Sequence, residues 1–192
     1  MSMLRSGQSD VMVRTTRLDI AYPTMSDFAE WAAVRRASRA NLEPFEPAWT
    51  ADALSRADWS RRLRRWREQR RDGEAHVFLV RRRADKRLAG GAALSNVRFG
   101  SVNSAGLGYW LGDAFKGDGL MTEAVVGVCS WAFQSLGLYR IEAGTVPENT
   151  ASQAVLRRAG FKEEGRARGY LEINGRRRDH VMFGLIRSDL LG

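Results

Sequence analysis

The residues with the clearest chemical potential lie in one glycine-punctuated stretch, residues 108–124. The order of residue types indicates the end of a strand, a turn and the start of an apolar helix. Gly117 and Gly119 allow the backbone to approach a ligand closely, and the N–H groups of residues 116–122 precede the first intrahelical hydrogen bonds. Because such N–H groups attract anions, the stretch predicts a phosphate-binding loop.

Two well-known nucleotide-binding motifs match this stretch incompletely. A Walker loop requires Gly-Lys-Ser/Thr, which the sequence lacks, and a Rossmann fingerprint requires a third glycine where Thr122 stands. Glu142 lies about 20 residues further on, where a dinucleotide fold places its ribose-binding acid. A nucleotide ligand and a plain loop-to-helix connection therefore both stay open from these residues alone.

The second half of the chain carries further motifs. Lys-Gly-Asp-Gly-Leu-Met at 116–121 is followed by Asn149 and Ser152, and then by Ala-Gly-Phe at 159–161. In this combination and spacing the chain resembles the GNAT acetyltransferase superfamily, whose pyrophosphate loop reads Gln/Arg-Gly-x-Gly-x-Gly/Ala. The resemblance spans about residues 12–186 and is dense from 106 to 182.

One branch of the superfamily is the most similar. The shared features are Gly-Leu-Met-Thr-Glu-Ala at 119–124, Asn149-x-x-Ser152, Tyr170-Leu, and Asn174-Gly-x-x-x-Asp179-His180. They resemble the RimJ/RimL enzymes, which are alanine N-acetyltransferases of ribosomal proteins. The resemblance implies an acetyl-CoA-dependent N-acetyltransferase whose acceptor is the N-terminal α-amine of a protein, such as a ribosomal one. Two alternatives stay open: an acetyltransferase for a small amine such as an antibiotic or polyamine, and a non-catalytic nucleic-acid-binding module that senses acetyl-CoA.

The resemblance also implies a fold and a way of holding the cofactor. The fold would be the mixed α/β GNAT fold, with a central, largely antiparallel sheet that splays at its middle strands and has flanking helices. The pantetheine arm of acetyl-CoA would enter between the strand ending at Gly112 and the strand beginning near Tyr139. Backbone groups of Trp110 and Leu111 would contact the acetyl carbonyl and pantetheine. The implied cofactor-binding residues are Trp110, Leu111, Lys116, Gly117, Asp118, Gly119, Leu120, Met121, Thr122, Asn149 and Ser152.

Acetyl transfer requires a proton donor for the departing thiolate and donors that stabilise the oxyanion. Much of the superfamily uses a tyrosine as the acid, but that position is Leu156 here. Ser152 matches the serine given the acid role in RimL-like enzymes, so the resemblance implies Ser152 as the catalytic acid. The alternative for Ser152 is an ordinary helical serine near a cap.

The general base is less defined. Leu171 stands where the RimL-like pattern has a glutamate. Glu142 or Asp179 could act as a catalytic base through a water molecule. Each could instead pair with an arginine, Asp179 with Arg177 or Arg178. An α-amine has a pKa of about 8, so a neutral fraction exists without a dedicated base.

Four residues are candidates for binding the acceptor: Pro44, Phe45, Tyr170 and Asp179. Pro44 and Phe45 belong to residues 41–49, a loop that two prolines and two aromatic residues stiffen. The matching stretch of the resembled branch helps form the acceptor pocket. The alternative is a loop whose aromatic residues cover the core.

The composition bounds the class of protein. With 192 residues, 44% hydrophobic and 28% charged, the chain is typical of a globular protein. We expect a flexible terminus at residues 1–10 and one GNAT domain at 11–192, as monomer or homodimer. No apolar run approaches about 18 residues and no signal-peptide pattern opens the chain, so we expect a cytoplasmic protein without membrane contact. Cys129 is the only cysteine, which excludes an internal disulfide and a cysteine metal site, and we expect no metal.

Arginine dominates the positive charge. The net charge is +9, the pI is about 10.7, and lysine occurs only at 86, 116 and 162. Eight arginines fall on one predicted helix: Arg56, Arg61, Arg62, Arg64, Arg65, Arg67, Arg70 and Arg71. They fit either a solvated helix face or a surface that contacts RNA on the ribosome, and the sequence alone leaves both open.

Periodicity and turn residues predict the elements that position these residues. Strands are predicted at 11–21, 76–83, 87–96, 104–112, 139–146, 161–169 and 180–186. Helices are predicted from Thr24 or Ser26 to about 40, at 51–72, at 120–136, and from Asn149 or Thr150 to 159. An extension that turns at Asn174-Gly175 joins the last two strands.

Overall fold

A computed structural model of the chain describes residues 11–191, which form one eight-stranded sheet flanked by six α-helices. The strands are β1 (Val11–Arg14), β2 (Leu18–Ala21), β3 (His76–Arg82), β4 (Leu88–Arg98), β5 (Ser104–Leu111), β6 (Arg140–Thr145), β7 (Lys162–Ile173) and β8 (Arg176–Ile186). The helices are α1 (Phe28–Ala37), α2 (Arg39–Leu42), α3 (Arg56–Arg71), α4 (Leu120–Ser135), α5 (Thr150–Arg158) and α6 (Arg187–Leu191). The flexible terminus predicted at residues 1–10 lies outside the described residues.

The sheet splays between its two middle strands. Its strand order is β1-β2-β3-β4-β5-β6-β8-β7, and every neighbouring pair is antiparallel except β5 and β6. β5 and β6 pair only through residues 104–106 and 140–142, although β5 continues to Leu111 and β6 to Thr145. The strands diverge beyond these pairs, which confirms the predicted mixed α/β fold with a splayed, largely antiparallel sheet.

Helices cover both faces of this sheet. α4 is apolar on nearly every side and places Val125 and Phe133 in a core where neither side chain is exposed. Phe78 of β3 belongs to this core, whereas Leu79 beside it packs with Trp59 of α3. Successive strand residues point to opposite faces. α4 therefore lies on one face of the sheet, and α1 and α3 lie on the other.

The first predicted strand is wrong as a single element. Residues 11–21 form two antiparallel strands, β1 and β2, joined by a turn. The Thr15 amide donates to the Leu18 carbonyl at 3.0 Å, and the Leu18 amide donates to Thr15 Oγ1 at 3.1 Å. The alternating pattern does not reveal this turn because no Gly, Pro, Asn or Asp marks it.

The last two strands extend further than predicted. β7 and β8 continue to Asn174 and Gly175, so the predicted extension belongs to the strands themselves. Both turn residues have positive φ values, 47° and 74°, as a two-residue hairpin turn requires, which confirms the predicted turn. The strand ends are missed because β7 is exposed along most of its length and lacks apolar alternation. Its pairing with β8 defines it.

Three helical segments also differ from the sequence pattern. The helix predicted from residue 24 to 40 divides at Ser38 into α1 and α2. α3 begins later than predicted because Ser55 caps it, with Ser55 Oγ accepting from the Asp58 amide at 3.0 Å. α6 follows β8 without having been predicted. Across residues 11–191, no helix combines the length and apolarity needed to cross a membrane.

Candidate active site

The divergence of β5 and β6 opens a cavity of about 870 Å³, here called the wedge cavity. Residues 107–111 of β5 and residues 143–146 at the end of β6 line it. Gly119 and residues 120–122 line another part, and Phe45 lines a third. The wedge cavity therefore touches both the predicted phosphate loop and the predicted acceptor loop.

The glycine loop has the geometry of an anion site. Gly117 and Gly119 have φ values of 94° and 72°, and Gly119 is the N-cap of α4. A Cβ at Gly117 would meet no atom within 4 Å, and one at Gly119 would meet only Arg17 Nη2 at 3.8 Å. The glycines are therefore required by the left-handed backbone and not by a lack of space. Among the described residues, the N–H groups of residues 117–122 donate to no other group of the chain.

A long-range contact holds this loop in place. Glu123, in the first turn of α4, accepts from Thr15 Oγ1 (2.6 Å), the Arg17 amide (2.7 Å) and Arg17 Nε (2.6 Å). Burial raises the pKa of Glu123, but the hydrogen bonds from Thr15 and Arg17 lower it by more, so the net pKa is lowered. Arg17 Nη1 also donates to the Asp118 carbonyl at 2.9 Å. The turn between β1 and β2 thus fixes the loop as well as the helix start.

The structure brings most of the implied cofactor residues together. The residues from that set that line the wedge cavity are Trp110, Leu111, Lys116, Gly117, Gly119, Leu120, Met121, Thr122, Asn149 and Ser152. Asp118 is outside the cavity wall. Lys116 Nζ is paired with Asp113 Oδ1 at 2.6 Å. Arg158 of α5, which the sequence patterns do not single out, adds a further positive charge to the wall.

The start of α5 places Ser152 at the wedge cavity. Asn149 is the N-cap of α5, and its Oδ1 accepts from the Ser152 amide at 3.0 Å. Ser152 Oγ lies 2.8 Å from Tyr109 Oη, which is also 3.0 Å from the Ser152 carbonyl oxygen. Burial raises the pKa of Tyr109 to about 12 against a smaller lowering by the Ser152 hydrogen bond. Tyr109 was not a sequence candidate, because nothing local indicates a partner 43 residues away.

The two candidate bases do not reach the wedge cavity. Glu142 does not line it, and its Oε1 accepts from Arg140 Nε at 2.9 Å. Asp179 does not line it either. The Gly169 amide donates to Asp179 at 2.8 Å and Arg166 Nη2 lies 2.9 Å from it, so its arginine partner is Arg166 and not Arg177 or Arg178. The Gly169 amide is the largest cause of the lowered pKa of Asp179.

On the acceptor side, Phe45 lines the wedge cavity, whereas Pro44 and Tyr170 do not. Tyr170 is 45% exposed and contacts His180 edge-on, with ring centroids 5.5 Å apart. His180 itself lines the cavity and is 3% exposed. The carbonyl of Glu46 accepts from the Asn174 amide at 3.0 Å, which ties the acceptor loop to the β7–β8 turn.

Glu46 and Arg35 are further cavity residues that sequence reasoning missed. They form an ion pair, and Trp49 Nε1 donates to Glu46 at 2.9 Å. The Arg35 guanidinium lies 4.5 Å from the Trp49 ring and 5.0 Å from the Trp110 ring. This part of the wall therefore contains an ion-paired carboxylate and the ring of Trp110, which lies near the same guanidinium. Within the described residues, no group of three His, Cys, Asp or Glu side chains could hold a metal ion.

The loop geometry yields a testable prediction. Gly119→Val puts a β-branched residue at a φ of 72°, which it adopts only with strain, so the loop should shift. We expect the Kd for acetyl-CoA, measured by calorimetric titration, to rise roughly tenfold or more, about 1.4 kcal/mol. The matched control is Gly137→Val, because Gly137 has a φ of 69° beyond the other end of α4. Unchanged affinity in Gly119→Val, or an equal loss in both variants, would contradict a phosphate loop at residues 117–122.

Comparison with known proteins agrees with this geometry. A family profile described as "Acetyltransferase (GNAT) domain" matches residues 17–162. The ribosomal protein uS5-alanine N-acetyltransferase of Escherichia coli (strain K12) is 33% identical over 185 residues, covering 96% of this chain and 95% of that protein.

Two solved structures are also similar. Mycobacterium smegmatis RimJ in complex with CoA-disulfide has a TM-score of 0.86 and 32% identity, covering 91% of this chain and 84% of that one. The ribosomal-protein-S5-alanine acetyltransferase from Vibrio fischeri has a TM-score of 0.84 and 29% identity, covering 92% of this chain and 97% of that one. Because the family profile matches most of the sequence and the E. coli relative covers nearly all of it, the chain belongs to the acetyltransferase (GNAT) family.

Proposed function

We propose that this acetyltransferase moves the acetyl group of acetyl-CoA to the N-terminal α-amine of a protein, and that ribosomal proteins are its acceptors. The observation that carries the proposal is the wedge cavity, which touches the glycine loop and also the loop at residues 41–46. A cavity with two such sides allows the cofactor and a peptide end to meet inside the sheet. The E. coli relative, named for the alanine of ribosomal protein uS5, supports the same class of acceptor.

Acetyl-CoA is the cofactor, and the wall of the wedge cavity suggests how each part of it is held. The unpartnered N–H groups of residues 117–122 would bind the pyrophosphate. The pantetheine arm would lie between β5 and β6, where backbone groups of Trp110 and Leu111 have no partner in β6. Asn149 uses its Oδ1 as the helix cap, which leaves its amide N–H groups for pantetheine.

The charges of the wedge cavity favour an α-amine over a more basic one. Within the described residues, the carboxylates that line it are Glu46 and Glu148, and each is paired with an arginine, Arg35 and Arg178. The cavity therefore offers no unpaired carboxylate to bind a cation or take a proton. At pH 7.5 about a quarter of an α-amine with a pKa of about 8 is neutral, against roughly one in a thousand for a lysine amine with a pKa of about 10.4.

The proposed reaction needs few groups. A neutral α-amine attacks the thioester carbonyl, and preorganised backbone N–H groups stabilise the oxyanion. Ser152 Oγ donates a proton to the departing thiolate. In this scheme Glu142 and Asp179 take no part, because both are bound by arginines away from the wedge cavity.

The acceptor assignment is tested by thiol release. A peptide that begins with alanine should release CoA thiol, and the same peptide with a blocked N-terminus and an internal lysine should not. The kcat/KM for the alanine-initiated peptide should rise with pH and level off above about pH 8, as its α-amine becomes neutral. Turnover confined to polyamines or aminoglycosides would contradict a protein acceptor and move the function to a small amine.

The role of Ser152 is tested separately. We expect Ser152→Ala to lower kcat about a hundredfold, the lower end of general-acid effects, with the Kd for acetyl-CoA within about twofold of wild type. Ser60→Ala removes an exposed helical serine of α3 and should leave both constants unchanged. Unchanged turnover in Ser152→Ala would remove Ser152 from the catalytic residues.

We further infer that α3 contacts ribosomal RNA. Several arginines of α3 are already occupied: Arg61 and Arg62 pair with Asp58, and Arg71 pairs with Asp72. Arg64, Arg65 and Arg67 are exposed and, in the described part of the chain, form no ion pair. These three guanidinium groups remain available for phosphate contacts.

The RNA contact predicts a change in salt dependence. Arg64→Gln with Arg67→Gln should make the negative slope of log K against log salt, measured on purified ribosomal RNA, shallower by about 1.4 to 1.8. Removing two charges elsewhere, through Arg157→Gln with Arg168→Gln, should change the slope much less. Acetylation of a free peptide should be unaffected by either pair. Equal slopes for the two double variants would show a response to net charge alone and contradict the α3 contact.

A further inference from the structure

We propose that Tyr109 is a positioning residue for Ser152, fixing the direction in which the Ser152 hydroxyl presents its proton to the sulfur of acetyl-CoA. The inference rests on the proposed function, because it concerns the proton that the thiolate receives. It assigns a task to a residue that neither the sequence motifs nor the resemblance singles out.

The contact crosses the opening of the sheet. Tyr109 lies on β5, beyond the last residue pair that β5 makes with β6, and Ser152 lies in the first turn of α5, which follows β6. Tyr109 Oη is 2.8 Å from Ser152 Oγ and 3.0 Å from the Ser152 carbonyl oxygen. Both residues line the wedge cavity. A side-chain contact therefore joins the two sides of the wedge where the backbone ladder has ended.

Ser152 has no competing use for its hydroxyl in the described structure. A serine in a helix often donates to the carbonyl of the preceding turn, but Ser152 Oγ makes its hydrogen bond with Tyr109. The Ser152 amide is separately held by Asn149. The amide and the hydroxyl of Ser152 are thus held by two different residues, and Tyr109 is the partner of the hydroxyl among the described residues.

The phenol can support proton donation by Ser152. The single phenol proton of Tyr109 can be donated to Ser152 Oγ or to the Ser152 carbonyl oxygen, because both oxygens lie within hydrogen-bond distance of Oη. When Oη–H donates to Ser152 Oγ, the hydroxyl proton of Ser152 is left to point elsewhere. The Oγ–H bond breaks as the S–H bond of CoA forms, and Oγ regains the proton that the attacking amine nitrogen loses. Burial raises the pKa of Tyr109 to about 12, so the phenol keeps its proton throughout the assay range.

The test is a double-mutant cycle on turnover. Tyr109→Phe keeps the ring and removes Oη, and we expect kcat to fall about tenfold, with the Kd for acetyl-CoA within about twofold of wild type. In a Ser152→Ala background the same change should lower kcat by less than about twofold, because no hydroxyl remains to be positioned. Tyr22→Phe is the matched control: it removes a phenol hydroxyl that lies 2.8 Å from His76 Nδ1, outside the wall of the wedge cavity, and should leave kcat unchanged.

The results of this cycle distinguish a failure of the Tyr109 role from a failure of the proposed peptide acceptor. An equal fall in kcat in both backgrounds, or a loss confined to acetyl-CoA affinity, would mean that Tyr109 only supports the wedge and would overturn the inference. Unchanged kcat in Ser152→Ala would overturn it as well. The cycle uses whichever amine the wild type acetylates, so an unreactive peptide would remove the acceptor assignment alone.

Discussion

The early end of the ladder between β5 and β6 is the constraint on which the rest of the structure depends. Only residues 104–106 and 140–142 pair, so both strands continue with backbone groups that have no partner on the facing side. Two sets of contacts hold the strands on either side of this opening in place. α4 packs beneath the sheet, and the Tyr109–Ser152 contact joins β5 to α5. A cavity can therefore exist inside the sheet without loosening its core.

Electrostatics divides the wedge cavity into two regions with different chemistry. At the glycine loop, unpartnered N–H groups and the start of α4 create a positive field suited to phosphate. At the acceptor side, the Glu46 carboxylate is neutralised by Arg35, whose guanidinium lies near the rings of Trp49 and Trp110. Such a wall offers little to attract a polycation. Under the proposed function it would suit a peptide end whose amine enters neutral, which is also the form that attacks a thioester.

Local patterns predicted what depends on local chemistry. The glycine loop, α4, the Asn149 cap and the turn at 174–175 were predictable because helix starts, apolar periodicity and positive φ values have short-range signatures. The Glu123–Arg17 anchor was not predictable, since its partners lie 106 residues apart. For the same reason the sequence could not identify Arg166 as the partner of Asp179, because the two residues lie on the neighbouring strands β7 and β8. Glu142 pairs with Arg140 on its own strand, an arginine pairing that the sequence had left open. Pairing across the sheet decides which polar residues reach the cavity.

Amide hydrogen exchange with and without acetyl-CoA is the most direct test of the wedge as the cofactor site. Binding in the wedge predicts that saturating acetyl-CoA slows amide exchange at residues 107–111 and 117–122. In the free protein, residues 107–111 lie on the part of β5 that does not pair with β6, and the N–H groups of residues 117–122 have no partners. Exchange in β7, which does not line the cavity, should stay the same. Protection confined to other parts of the chain, with none at the glycine loop, would contradict this placement.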